Sequence, residues 1–316
     1  MAERVSLDLT GFRPEVTEKV IRLLMVLDRM SAHPILSSRV CLHGGTALNL
    51  FVLGVPRLSV DIDLNYIGHP DREQMLADRP SVEQAVVDVA TELGFAVRPG
   101  RAEHSGRSFR LQYQGRLGLD TVKVDLDYLN RSPLLPPTPR TVVLPSGAEV
   151  SFPLNSGIEL IAGKLKALVE RVAIRDLYDV NRIAAIFPSA LDGPDDRLRR
   201  RILLYYLAKS DPYPRPFEVV ARFAGRERDV GEALHPMLLA EDRPDLSTMV
   251  TTAADFLAQV SRPVEPQEVE YLARFALADF APELLFADHP GALAAARSDP
   301  AAAWKVRNLS TALGAK

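Results

Sequence analysis

Cysteine is almost absent from this chain. Its 316 residues include one, Cys41, in an apolar stretch, which excludes an intrachain disulfide framework and predicts a buried thiol in a reducing compartment. Long apolar runs are missing too. None approaches the roughly 20 residues of a spanning helix, so no membrane partner is expected. The formal net charge is only −3. With no excess of either sign, nothing draws the whole molecule to a polyanion or an anionic bilayer, and any nucleic-acid contact has to come from a local patch. The opening MAERVSLDLTG lacks the basic-then-apolar order of a signal peptide, and a cytoplasmic location is expected. No repeat of fixed period runs through the chain.

What is present is ordinary globular composition, 47% hydrophobic and 25% charged, over a length that exceeds one core and predicts two domains. The fold class expected is α+β: a mixed sheet with flanking helices over 1–153, then a mostly helical domain over 154–316. Apolar residues at helical spacing predict a helix over 14–30. A strand over 39–43, a helix over 46–53 and a strand over 59–67 follow. Helical spacing returns over 72–93, with a break expected near Pro80, where Ser81 and Gln84 fit a capping box. Short alternating runs at 95–99, 108–114, 119–129, 141–144 and 149–152, punctuated by Gly and Pro, read as hairpin strands. The Pro-rich SPLLPPTPR at 132–140 reads as an extended surface connection.

Chemistry concentrates between Val40 and Ile67. A strand ends in Gly44-Gly45-Thr46, which places free backbone N–H groups at a helix start and suits a phosphate. The next strand carries Asp61 and Asp63 on one face, because side chains alternate along a strand. A solvated edge produces the same acidic pair, and a plain tight turn the same glycines. Together within about one supersecondary unit they suit Mg²⁺ or Mn²⁺, hard cations held by few carboxylates and substrate phosphates. A third acid would complete a metal site for displacement at phosphorus. Lys123, Asp125 and Asp127 share one strand face, with Asp125 favoured as the inner residue; an exposed edge is the alternative.

Downstream, Ser156 and Glu159 fit a capping box, and Leu160, Ile161, Leu165, Leu168, Val169 and Val172 form one apolar helical arc. Lys164 falls inside that arc and needs a negative partner. Asp176 and Asp179 just beyond would serve, and so would a nucleoside triphosphate.

HGGTALNLF and RLSVDIDL, followed by ELIAGKLKAL and RDLYDV, closely resemble the AbiEii nucleotidyltransferase toxins, including mycobacterial MenT-type members, of the DNA polymerase β-like nucleotidyltransferase superfamily. The resemblance covers about 40–67 and 155–183. It implies that Gly44, Gly45, Thr46, Arg57 and Ser59 lie at the nucleotide. It further implies that Asp61, Asp63 and Asp125 hold the metal and that Lys164 contacts the triphosphate. Asp179 closes the pattern, with Asp176 as its neighbour. Lys164 and these two aspartates would then complete a cleft with the first domain. The implied activity is metal-dependent transfer of a nucleotide, often a pyrimidine, from a triphosphate to the 3′ end of RNA. The implied target is the tRNA acceptor end, blocking translation, with a cognate antitoxin as partner. His43, before the glycines, reads as a packed strand-end residue rather than a base.

An RNA substrate should leave a basic footprint. Residues 197–228 carry nine Arg or Lys against three acids, with Tyr205, Tyr206 and Tyr213 interleaved. Arg197, Arg199, Arg200, Arg201 and Arg222 are therefore expected to form an RNA face, a solvated helix with core tyrosines being the alternative. A smaller set, Arg98, Arg101, Arg107, Arg110 and Arg116, lies near the catalytic strands. Two other functions fit parts of the pattern: a glycosyltransferase using D-x-D for its metal, and a non-catalytic nucleotide-binding or protein-binding module of the same fold.

Overall fold

The alternating runs of the N-terminal half assemble as one eight-stranded sheet in a computed structural model that describes residues 4–187, 191, 193 and 196–314. The first three residues of the opening segment lie outside it. The chain divides into two units: the first is Met1–Ser132, Pro136–Ser156 and His235–Asp242, and the second is Pro133–Leu135, Gly157–Leu234 and Arg243–Lys316.

The strands of the first unit are β1 (Arg4–Ser6), β2 (Val40–His43), β3 (Asp61–Tyr66), β4 (Ala96–Pro99), β5 (Gly106–Gly115), β6 (Gly118–Asp127), β7 (Thr138–Val143) and β8 (Glu149–Leu154). Their order is β1-β7-β8-β2-β3-β6-β5-β4. The pairs β1–β7, β2–β8 and β3–β6 are parallel and the others antiparallel, so the sheet is mixed. Its helices are α1 (Pro14–Ser31), α2 (Leu36–Arg39), α3 (Gly44–Phe51) and α4 (Arg72–Glu92).

One face of the sheet is closed. Val122, Val124 and Leu126 of β6 and Phe109 and Leu111 of β5 are buried there, and α1 buries Val20, Leu23, Leu24, Val26, Leu27 and Met30, each worth about 1.5–3 kcal/mol when fully buried. Lys19 of α1 pins Asp120 of β6 at 2.9 Å. The opposite faces of β3, β6 and β5 carry the polar residues, and this asymmetry positions the site.

Two expectations change and one short strand is added. Helix α4 runs through Pro80 without a break. Met75 before the proline and Val82, Ala85, Val86 and Val89 after it are all buried, and burial on both sides outweighs the lost hydrogen bond. Its N-cap is Asp71, accepting from the backbone N–H of Glu73 and Gln74. Strand β1 has only three residues, too short for alternation to register. The 132–140 stretch is not a surface connection throughout: its second half enters β7, where Thr138 faces Leu154. Leu134 is buried, its N–H donating to Glu159 Oε1 at 2.7 Å within the second unit.

The second unit is helical: α5 (Gly157–Glu170), α6 (Ile174–Ile186), α7 (Arg197–Ala208), α8 (Val219–Phe223), α9 (Glu227–Asp229), α10 (Leu246–Val260), α11 (Pro266–Ala276), α12 (Glu283–Phe286), α13 (Pro290–Arg297) and α14 (Pro300–Gly314). Among the described residues, no helix is long and apolar enough to cross a membrane.

Candidate active site

Strand register builds the site. His43 of β2 lies opposite Asp63 of β3, Asp63 opposite Asp125 of β6, and Asp125 opposite Ser108 of β5. Directly opposed residues project to one face, so four strands contribute one row of side chains. That row lines a cavity of about 320 Å³ together with Arg101, Glu103, Ser105 and Arg107.

The turn before α3 is shaped by close approach. Gly44 has φ +72°, and a methyl group on it would lie 2.1 Å from Asp63 Oδ2. Only glycine lets the backbone come so close to that carboxylate. A methyl on Gly45 would stand 2.9 Å from Ser59 Oγ and 3.1 Å from an Arg57 guanidinium nitrogen. Arg57 and Ser59 are buried, and Arg57 Nη1 donates to the Leu58 carbonyl at 2.9 Å. Thr46 is fully buried, its Oγ1 donating to the Asp61 carbonyl at 2.5 Å. Its hydroxyl fastens α3 to β3, which leaves the backbone as the part of this turn free to meet a ligand.

The carboxylates differ in their engagements. The Asp63 carboxylate makes no hydrogen bond or ion pair with any described residue. Asp125 is held at both oxygens, by Ser108 Oγ at 2.5 Å and Lys123 Nζ at 2.6 Å. Asp127 accepts from the backbone N–H of Leu129 and Asn130 and from Asn130 Nδ2, so it closes the turn after β6. Asp61 stands one pleat from Asp63, opposite Lys123.

Among the described residues, no three His, Cys, Asp or Glu side chains gather closely enough to hold a metal ion. The register sets Asp63 beside Asp125 and Asp61 one pleat along the same strand face, so the three expected carboxylates share one face of the sheet. Two adjacent carboxylates still fit a hard cation, because Mg²⁺ is usually held by one or two carboxylates, with phosphates and waters completing its shell.

In the second unit, Lys164 of α5 is buried between Asp176 at 2.8 Å and Asp179 at 2.9 Å. Arg171 Nε donates to Asp176 at 2.6 Å. Burial by itself would raise the Asp176 carboxyl, but the charges of Lys164 and Arg171 outweigh it and hold the group below its ordinary value of 3.8. A depressed folded-state value contributes stability that is present above the unfolded value and lost as pH falls through the folded one. The urea midpoint should therefore drop as pH is lowered from about 5 to below 3.8. Asp176→Asn should flatten that dependence; an unchanged slope in the variant would count against this account.

Burial removes two of the five arginines from the expected RNA face, while Arg197 and Arg199 are exposed. Arg200 and Arg201 of α7 are inside the second unit. Arg200 pairs with Glu268 at 2.9 Å, and Arg201 with Glu265 and Asp288, each at 2.9 Å. Arg197 pairs with Glu265 at 2.7 Å and Arg199 with Asp196 at 3.2 Å. Arg222 donates to the backbone carbonyls of Val169 and Glu170 at the end of α5. Tyr205 is fully buried, while Tyr206 donates to Glu159 and Tyr213 to the Leu272 carbonyl. The compensating acids lie some 60 or more residues downstream in α11 and beyond, so a local charge count could not see them.

Several residues of the cavity were not expected there. His43, read as packed, is half-buried, lines the cavity and has no hydrogen-bond or ion-pair partner among the described residues. Ser108 carried no signal until register placed it opposite Asp125. Its position on the same strand face as Arg110, two residues away, was the available cue.

The chain matches the family model described as nucleotidyl transferase AbiEii toxin, type IV TA system, over residues 26–282. No curated protein matches it in sequence. Among solved structures it is similar to MenT4, a nucleotidyltransferase toxin from Mycobacterium tuberculosis H37Rv. That match is 19% identical with a TM-score of 0.58, covering 90% of this chain and 94% of that one. It is also similar to JHP933 from Helicobacter pylori, 17% identical with a TM-score of 0.48, covering 83% of this chain and 98% of that one.

Proposed function

This chain belongs to the AbiEii family of nucleotidyl transferase toxins of type IV toxin–antitoxin systems, and from that premise we propose that it transfers a nucleoside monophosphate, a pyrimidine one foremost, from a triphosphate to the 3′ end of RNA. The target in this reading is the tRNA acceptor end, and the consequence a block of translation. As a family member it is a nucleotidyltransferase, and membership implies an antitoxin partner. The observation that carries the finer reading is Asp63. Its carboxylate is unpartnered, pressed against the Gly44 backbone and in register beside Asp125.

The chain's residues divide the work. Gly44 and Gly45 offer backbone N–H groups at the start of α3, where the helix dipole favours phosphate, and Arg57 behind Gly45 adds positive charge. Asp63 and Asp125, with Asp61 a pleat away, would hold Mg²⁺ or Mn²⁺. A divalent ion there supplies neutralisation of phosphate charge and a lower pKa for a bound hydroxyl. Ser108 fixes the orientation of Asp125. In this reading His43, which lines the same cavity, takes the proton of the RNA 3′-hydroxyl. That oxygen attacks the α-phosphorus, the new P–O bond forms, and the α–β bond breaks to release pyrophosphate. The resemblance assigns Lys164 to the triphosphate, with Asp176 and Asp179 as neighbours, and we retain that assignment beside their ion pairs.

Purified protein incubated with each α-labelled nucleoside triphosphate and bulk tRNA should place label in the tRNA. Incorporation should vanish with chelator and with Asp61→Ala. Wild-type incorporation no higher than that variant, in tRNA and total RNA alike, would overturn the proposal.

A further inference from the structure

One register row from the His43–Asp63–Asp125–Ser108 row lies a second row on the same sheet face: Asp61 opposite Lys123, Lys123 opposite Arg110, and Arg110 opposite Arg98. The row crosses β3, β6 and β5 and ends on the edge strand β4. Lys123 already serves Asp125. The Arg98 and Arg110 side chains are exposed, and their guanidinium groups make no hydrogen bond or ion pair with any described residue.

Two like charges directly opposite across a strand pair are destabilising, and here no acid relieves them. Along a strand, alternate residues on one face are about 7 Å apart, and neighbouring strands lie about 4.8 Å apart. Arg110 is therefore one pleat from Ser108, and Arg98 is one strand further out. Arg101, exposed and equally unpartnered, lines the cavity itself. Positive charge thus continues from the cavity to the sheet edge on the polar face.

We propose that Arg98 and Arg110 form a cross-strand phosphate clamp that holds the backbone of the unpaired 3′ end of the RNA as it enters the cavity. The inference rests on the RNA-directed reading above and adds the surface that carries the substrate. Base edges are not involved, so the clamp adds affinity without sequence preference. The charge complementarity of an unbalanced arginine pair and a polyanion selects RNA as occupant.

The test is the double variant Arg98→Ala with Arg110→Ala in the full chain. Binding of fluorescent bulk tRNA is followed by anisotropy across a salt series. Loss of two phosphate contacts to a single strand should make the slope of log affinity against log salt shallower by about 1.4 and weaken binding uniformly across sequences. Binding of a fluorescent nucleoside triphosphate should be unchanged, and the thermal midpoint unchanged or raised, since a repulsion has been removed. Equal tRNA affinity and slope in variant and wild type would overturn the clamp while leaving transfer to RNA standing. Parallel loss of triphosphate binding would reassign the arginines to the nucleotide. Intact tRNA binding with loss of the co-purified antitoxin would reassign them to a protein partner. A wild type that neither binds nor labels tRNA would remove the RNA reading and the clamp with it.

Discussion

Asp63→Ala is expected to lower nucleotidyl transfer by about 10²–10³-fold or more, the scale on which removal of one preorganised charge-stabilising group acts, without unfolding the protein. Both halves of that expectation come from the same observation. A half-buried carboxylate with no partner among the described residues, set beside Asp125 on the neighbouring strand, contributes nothing that stabilises the fold. Its repulsion with Asp125 is a local cost of the kind functional sites retain. The variant should therefore melt at the wild-type temperature or above it. Asp125→Asn should also lose transfer, but it removes the charge that the Lys123 ammonium pairs with, so its stability should fall slightly. The contrast is measurable as single-turnover transfer to labelled tRNA alongside thermal unfolding. Transfer by the Asp63 variant within tenfold of wild type would remove Asp63 from the chemistry. Loss of transfer explained by loss of folded protein would do the same.

How much of this was legible in the sequence depended on the range of the interaction. Gly44-Gly45 and Asp61-x-Asp63 could be read because turn, helix and strand are neighbours in the chain, and alternation fixes a strand's faces without knowledge of its partners. The row across β2, β3, β6 and β5 could not, because register between strands 60 residues apart is set by packing and by the turns between them. Hence Asp125 could be favoured only by its place in a strand, Ser108 was not picked out, and His43 was read as a packed strand end. Arg200 and Arg201 of α7 failed for the same reason in reverse. Nine basic residues in one stretch look like a polyanion face until Glu265, Glu268, Asp288 and Asp299 return from far along the chain to neutralise those inside. The weaker signal, Arg98 and Arg110, lacks such returning acids. Buried arginines with carboxylate partners hold a helical unit together, whereas exposed arginines without them are free to meet a ligand.

Lys164→Met is expected to destabilise the protein by about 3–5 kcal/mol, the cost of breaking a buried ion pair and leaving its partner charged. Here two partners are left. Asp176 and Asp179 are both buried and both within 2.9 Å of the ammonium, and Arg171 pairs with Asp176. Loss of transfer in this single variant would therefore say little about catalysis. The informative protein is the triple variant, Lys164→Met with Asp176→Asn and Asp179→Asn, in which the three charges of the cluster are removed together. Its stability should recover most of the lost free energy, because replacing a whole buried ion cluster by neutral groups of similar volume is often close to neutral. If Lys164 also steadies the triphosphate, as the AbiEii resemblance implies, transfer stays absent in the recovered protein and the affinity for triphosphate stays low. If the cluster is purely structural, transfer returns together with the urea midpoint. The comparison of midpoint and turnover in the same three proteins separates the two roles, and recovery of both would confine Lys164 to holding α5 against α6.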